Sequence, residues 1–211
     1  RKDDVKLVLI AGPSSSGKTS FANRLGVQLR VLGIKPHVIS MDDYFINRED
    51  TPVDEFGNRD YENINCIDIE LFNRDINDLI AGKTVELPSY NFVTGMREYK
   101  GKFTKLKENE IMIIEGIHGL NDELTPSIKA ENKFKIFISA MTQLNVDNHK
   151  FISTSDSRLL RRMVRDNLSR RNDAAATISA WPYVTRGEER NIFPYQENAD
   201  VMFNSATIYE I

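Results

Sequence analysis

Gly12-Pro13-Ser14-Ser15-Ser16-Gly17-Lys18-Thr19 fits the pattern G-x-x-x-x-G-K-[ST] at every fixed position. The residue types follow from the geometry that such a loop needs. Glycines at 12 and 17 let the backbone take conformations closed to other residues, so that successive N–H groups point into one concavity and bind phosphate oxygens. Lys18 would reach the β- and γ-phosphates, and the Thr19 hydroxyl would ligate Mg²⁺. The following helix adds the positive end of its dipole. The expected triphosphate-binding set is therefore Gly12, Pro13, Ser14, Ser15, Ser16, Gly17, Lys18, Thr19 and Ser20.

The flanks agree with the loop. Leu7-Val8-Leu9-Ile10-Ala11 is a continuous apolar run, as a parallel strand buried on both faces should be. Downstream, Phe21, Leu25, Leu29 and Leu32 recur at steps of 4, 4 and 3, one stripe of a helix ending near Gly33. Farther along, His37–Ser40, Ile111–Ile114, Phe134–Ile138 and Val201–Phe203 read as further short strands. Asp68 is placed to cap a helix with the apolar face Ile69, Phe72, Ile76 and Leu79, closed by Gly82. Short alternating segments from about 85 to 107 flank Thr94-Gly95 and predict a β-hairpin. Residues 46 to 67 are polar and turn-rich, an excursion rather than core. Pro182 is expected to interrupt the last helical segment. Strands alternating with helices imply a parallel sheet wound by right-handed crossovers.

A chain of 211 residues suits one α/β domain with a small excursion. Its 28 basic and 31 acidic residues leave a net charge of −3, which offers no global reason to expect nucleic-acid or membrane partners. No apolar run approaches the roughly 18–20 residues that cross a bilayer. Cys66 is the only cysteine, so a reducing compartment, the cytoplasm, is expected. His37 and His149 read as surface or packing residues. The charged start at Arg1 suggests a piece of a longer chain.

Phosphoryl transfer needs in-line positioning, charge neutralisation and an acceptor for the nucleophile's proton. In an open parallel sheet those groups belong beyond the carboxyl ends of strands. Asp42 follows the second strand and is assigned as the base; Glu115 follows the third and is assigned to the metal. Arg158, Arg161, Arg162 and Arg165 fall within an arc of roughly 100° on a helix, with Leu160, Met163, Val164 and Leu168 opposite. Two readings of that stripe stand: a cover placing positive charge on the transferring group, or a solvated face paired with Asp156 and Asp166. A GTP switch should carry N-K-x-D, and Asn132-Lys133-Phe134-Lys135 lacks the acid.

Taken together, AGPSSSGKTS, ISMDDYF, LPSYNFVTGMR, IIEGIHG, SDSRLLRRMVRD and ENADVMFNSA resemble the uridine kinase-like branch of the uridine kinase/phosphoribulokinase family. The resemblance runs over nearly all of residues 6–204 and is nearest to bacterial forms with an amino-terminal TGS region. It implies a five-stranded parallel sheet with helices on both faces, a β-hairpin over the acceptor, and a lid at about 166–190. It implies ATP or GTP with Mg²⁺, a nucleoside acceptor, and leaves a homo-oligomer open. By position it makes Asp42 the catalytic base, with Lys18, Arg162 and Arg165 serving the transfer. Glu62 falls where the family binds ribose with an Asp, and Tyr90 and Phe92 fall at the aromatic residues around the base. Tyr44, Arg97 and His118 join the acceptor site, Arg170 the lid, and Thr19 and Glu115 the metal. Tyr90 and Phe92 are open to a second reading as hairpin packing, and His118 as a structural residue.

The resemblance also departs at named positions. Gly95 stands where uridine-cytidine kinases carry a base-binding His, and Asn172 replaces the last arginine of R-G-R. Three uses remain: a nucleoside kinase, a kinase for another alcohol of the phosphoribulose or pantothenate type, or a nucleotide-binding module without catalysis.

Overall fold

Leu7–Ala11 forms β1, and every one of its residues is buried because other strands flank it on both sides. The computed structural model describes residues 4–54, 57–141, 152–170 and 172–206, with the side chains of 169 and 170 left outside that description. After β1 come α1 (Lys18–Val31), β2 (Lys35–Ser40) and α2 (Ile69–Ile80). A hairpin follows, β3 (Thr84–Asn91) and β4 (Met96–Lys105), then β5 (Glu110–Glu115) and β6 (Lys133–Ser139). The chain continues with α3 (Thr154–Arg165), α4 (Ala174–Asn191) and β7 (Val201–Asn204).

The five-stranded sheet has the order β2-β5-β1-β6-β7, all parallel. Alternate residues of β1 serve opposite faces, as period-2 geometry requires. Leu7 and Leu9 join Phe72, Ile76 and Leu79 of α2. Val8 and Ile10 join Ala22, with Phe21, Leu25 and Leu29 of α1 packed against them. The predicted stripe thus holds for three of its four members. Leu32 lies past the end of α1 and is 70% exposed, because the chain turns away at Gly33. Asp68 caps α2 as its sequence suggests, accepting from Leu71 N at 3.0 Å. No helix of the described residues is long and apolar enough to cross a membrane.

Two expectations need correction. Pro182 does not interrupt α4, which is continuous from Ala174 to Asn191. Thr177, Trp181, Val184 and Glu188 are all buried, and their spacing holds both halves of the helix on one packed face. That packing outweighs the roughly 3 kcal/mol that an interior proline costs. The stripe on α3 is not a solvated face: its apolar side faces out, with Leu160 and Val164 55% and 62% exposed. Arg158 turns fully inward, while Arg161, Arg162 and Arg165 are half-buried, the last two paired with Asp166 as the second reading expects.

Arg158 turns inward because acceptors meet it there. Arg158 and Glu188 form a buried two-point pair at 2.5 and 2.8 Å, joining α3 to α4. Glu188 also accepts from Ser14 N at 2.8 Å, while Arg158 donates to Ser14 O at 3.1 Å. One ion pair therefore braces both amide and carbonyl of a residue in the glycine-rich loop. Removing one partner leaves the other charge buried and uncompensated, at a cost of about 3–5 kcal/mol. Glu188→Ala should accordingly show a much lower urea midpoint. Arg158→Leu combined with Glu188→Leu should lose less than the sum of the two single changes; strict additivity would mean that the pair is not coupled.

Candidate functional site

The loop between β1 and α1 can take its shape only with glycine at two places. A Cβ on Gly12 would collide with the Ile138 carbonyl of β6, and Gly17 sits at φ 88°. Lys18 opens α1, and its ammonium donates to Gly12 O at 2.9 Å and Pro13 O at 3.1 Å. Burial draws its pKa below the ordinary lysine value, against the pull of Glu115, Asp42, Glu62 and Glu188. The Ser15 and Ser16 hydroxyls are buried without a protein partner among the described residues. Orphaned donors above a helix N-terminus and beside a lysine suit a polyphosphate.

Parallel register sets the rest. Ile10 pairs with Glu115, and Glu115 with Ser40, so β1, β5 and β2 reach their carboxyl ends at one level. Thr19 Oγ1 then donates to Glu115 Oε1 at 3.0 Å, with Ser40 Oγ at 3.4 Å. No group of three or more His, Cys, Asp or Glu suited to a metal exists among the described residues. One hydroxyl and one carboxylate nevertheless fit Mg²⁺, which keeps several waters and takes its remaining ligands from phosphates.

Asp42 lies in a single 3₁₀ turn, Met41–Tyr44. Residues three apart eclipse in such a turn. Met41 and Tyr44 accordingly both enter the core, while Asp42 faces a cleft of about 1370 Å³ shared with Ser14, Ser15, Lys18, Thr19 and Glu115. Asp43 accepts from Tyr90 N at 3.1 Å and ties the turn to β3. Tyr44 is therefore corrected: it is fully buried, edge-on to Phe72 at 5.1 Å, and does not line the cleft.

Glu62 reaches the cleft from the excursion. Its pKa is pushed up to about 7 by burial, with Glu188 and Asp42 adding to the rise and Arg162 and Lys18 opposing it. Tyr90 and Phe92 also line the cleft, with ring centroids 5.1 Å apart, and Phe45 meets Tyr90 at 5.6 Å. Arg162 and Arg165 line it too. Arg162 donates to Ser14 Oγ at 2.7 Å, and Arg165 to Asp166 at 2.8 Å.

Two further expectations fail on position. Arg97 is held by the α2 cap, Asp68, at 2.9 Å and lines a separate, smaller cleft. His118 is 1% exposed, and its ring lies against the Glu62 backbone; burial holds its pKa down at about 4. It does not line the main cleft. Gly12, Pro13 and Ser16 are not among the residues that line the cleft, although the Ser16 hydroxyl is buried without a partner among the described residues. The Arg170 side chain lies outside the described residues. Arg161 of the arginine stripe lines the cleft as well, and so do Phe45, Arg48 and Tyr61, which were unforeseen from sequence. Phe45 alone carried a signal, since it closes the ISMDDYF segment.

Comparison with known proteins bears on this geometry. The family described as Phosphoribulokinase / Uridine kinase matches residues 7–211. A uridine kinase of Halobacterium salinarum is 25% identical, over 92% of this chain and 77% of its own length. A uridine kinase of Ligilactobacillus salivarius is 28% identical, over 79% and 68%. A solved structure described as a possible uridine kinase from Bacillus stearothermophilus superposes with a TM-score of 0.59 at 22% identity, covering 95% of this chain and 89% of that one. At that identity the superposition speaks for the fold alone. Strand order, loop and family match converge: the chain belongs to the phosphoribulokinase / uridine kinase family and is a phosphotransferase with an alcohol as acceptor.

Proposed function

We propose that the protein is a nucleoside kinase that moves the γ-phosphoryl group of ATP to the 5′-hydroxyl of a uridine- or cytidine-like nucleoside, with GTP as the rival donor. The observation that carries this reading is one shared cleft, lined by the phosphate loop, Asp42, Glu62 and three aromatic rings. Aromatic faces stack on a base, and a carboxylate suits vicinal ribose hydroxyls.

Each residue then has a task. Asp42 accepts the 5′-hydroxyl proton as the oxygen bonds to the γ-phosphorus and the bond to the β-phosphate oxygen breaks. Lys18 and the loop amides hold the phosphates, and Arg162 and Arg165 supply charge as the transferring group becomes metaphosphate-like. Thr19 and Glu115 would hold Mg²⁺, which would supply positive charge against the phosphates. The brace of Arg158 and Glu188 keeps Ser14 in place and touches no reacting atom.

Asp42→Asn should lower kcat by about 10²–10⁴-fold and leave the dissociation constant for ATP nearly unchanged. Wild-type turnover in that variant would remove Asp42 as the base. Lys18→Ala should weaken ATP binding and slow turnover together, because its charge meets the phosphates in both ground and transition states.

The raised pKa of Glu62 gives a pH prediction. Below about pH 7 the group is mostly protonated, and as pH rises through 7 the carboxylate that accepts two hydroxyls forms. KM for the nucleoside should therefore fall across that range while KM for ATP stays level. Glu62→Gln should flatten the profile; an unchanged profile would place the titration elsewhere.

A further inference from the structure

The acceptor end of the cleft contains a cation that the transfer chemistry does not use. Arg48 is half-buried and lines the cleft with Phe45, Tyr61, Tyr90 and Phe92. Its position is built rather than incidental. The Arg48 amide donates to Gly95 O at 2.8 Å, and its Nη2 donates to Phe92 O at 2.5 Å. The guanidinium also lies beside the Tyr90 hydroxyl. Gly95 makes room for it. A Cβ at residue 95 would stand 2.7 Å from Arg48 Cβ and 2.8 Å from its Nε, and the backbone there has φ 74°. The tip of the hairpin is thus shaped around this side chain.

Its chemistry is one-sided. A guanidinium has five N–H donors and no acceptor, and it does not lose its proton in proteins. A planar base stacked on the rings beside it would bring its rim, not its face, to the fork. A carbonyl oxygen at that rim is satisfied. An amino group there meets donor with donor and is left desolvated without a partner, at a cost of about 1–3 kcal/mol.

We propose that Arg48 sets the acceptor specificity of this kinase by selecting a base with a carbonyl oxygen at its outer rim, as in uracil, over one with an amino group, as in cytosine. The inference rests on the nucleoside kinase reading above and adds to it the edge chemistry of the base. Arg48 acts on binding and discrimination; the proton of the 5′-hydroxyl still goes to Asp42.

The test is kcat/KM with ATP for uridine, cytidine and the pyrimidin-2-one ribonucleoside, which lacks the 4-oxygen, in the wild type and in Arg48→Gln. Wild-type enzyme should favour uridine over the other two by about 10-fold or more. A glutamine offers either a carbonyl or an amino group, so the uridine-to-cytidine ratio should collapse towards one in Arg48→Gln, with kcat/KM for uridine reduced. Unchanged ATP affinity and melting temperature show that the variant is folded, and if it is not, the three-nucleoside comparison in the wild type decides alone. A wild-type ratio near one, a preference for cytidine, or a ratio unmoved in folded Arg48→Gln overturns the inference and leaves the kinase reading intact. Turnover of no nucleoside by a wild-type enzyme that binds ATP overturns the kinase reading, and this inference with it.

Discussion

The register of β5 between β1 and β2 is the constraint on which the rest depends. Parallel pairing puts Ile10, Glu115 and Ser40 side by side, so three strands release their chains at one height. From that line the phosphate loop, the carboxylate facing Thr19, and the turn carrying Asp42 leave the sheet within a few residues of one another. A slip of one residue would turn every side chain of β5 to the opposite face. Ile114 would leave its place beside Leu7 and Phe72, and Glu115 would leave Thr19. The same hydrophobic pattern that stabilises the sheet therefore fixes the chemistry at its edge.

Electrostatics at that edge is a balance of opposing charges at short range. The Lys18 pKa is drawn down by burial against the opposing pull of four carboxylates, and that of Glu62 is raised by burial while Arg162 and Lys18 hold it back. Such a cluster is suited to receive further negative charge, because Arg158 and Arg162 of α3 already meet Ser14 of the loop. The exposed apolar side of α3 follows from that orientation: a helix with acceptors on one side and solvent on the other has no third place for its leucines.

Local signals made most of the fold legible. β1, the cap at Asp68, the α2 face and the hairpin around Gly95 are all decided by neighbours in sequence, through period, capping and turn chemistry. The site was legible where it is itself local, as in the loop and at Asp42 and Glu115. It was misread where a side chain's direction depends on tertiary contact. Tyr44 shares a short turn with Asp42, yet eclipsing of residues three apart sends it to the core. Arg97 lies on the hairpin but is claimed by a helix cap, and His118 is claimed by burial. Arg48 gave no signal, since its position depends on a glycine in a different element.

The brace between α3 and α4 has an optical consequence. Trp181 is the only tryptophan of the chain, and the Arg158 guanidinium lies 5.3 Å from its ring. That same guanidinium holds the carbonyl of Ser14. Any rearrangement of the loop around a bound polyphosphate therefore alters the charge next to the lone indole. The fold carries an intrinsic fluorophore wired to its anion cradle, and its emission should report occupancy without an attached dye.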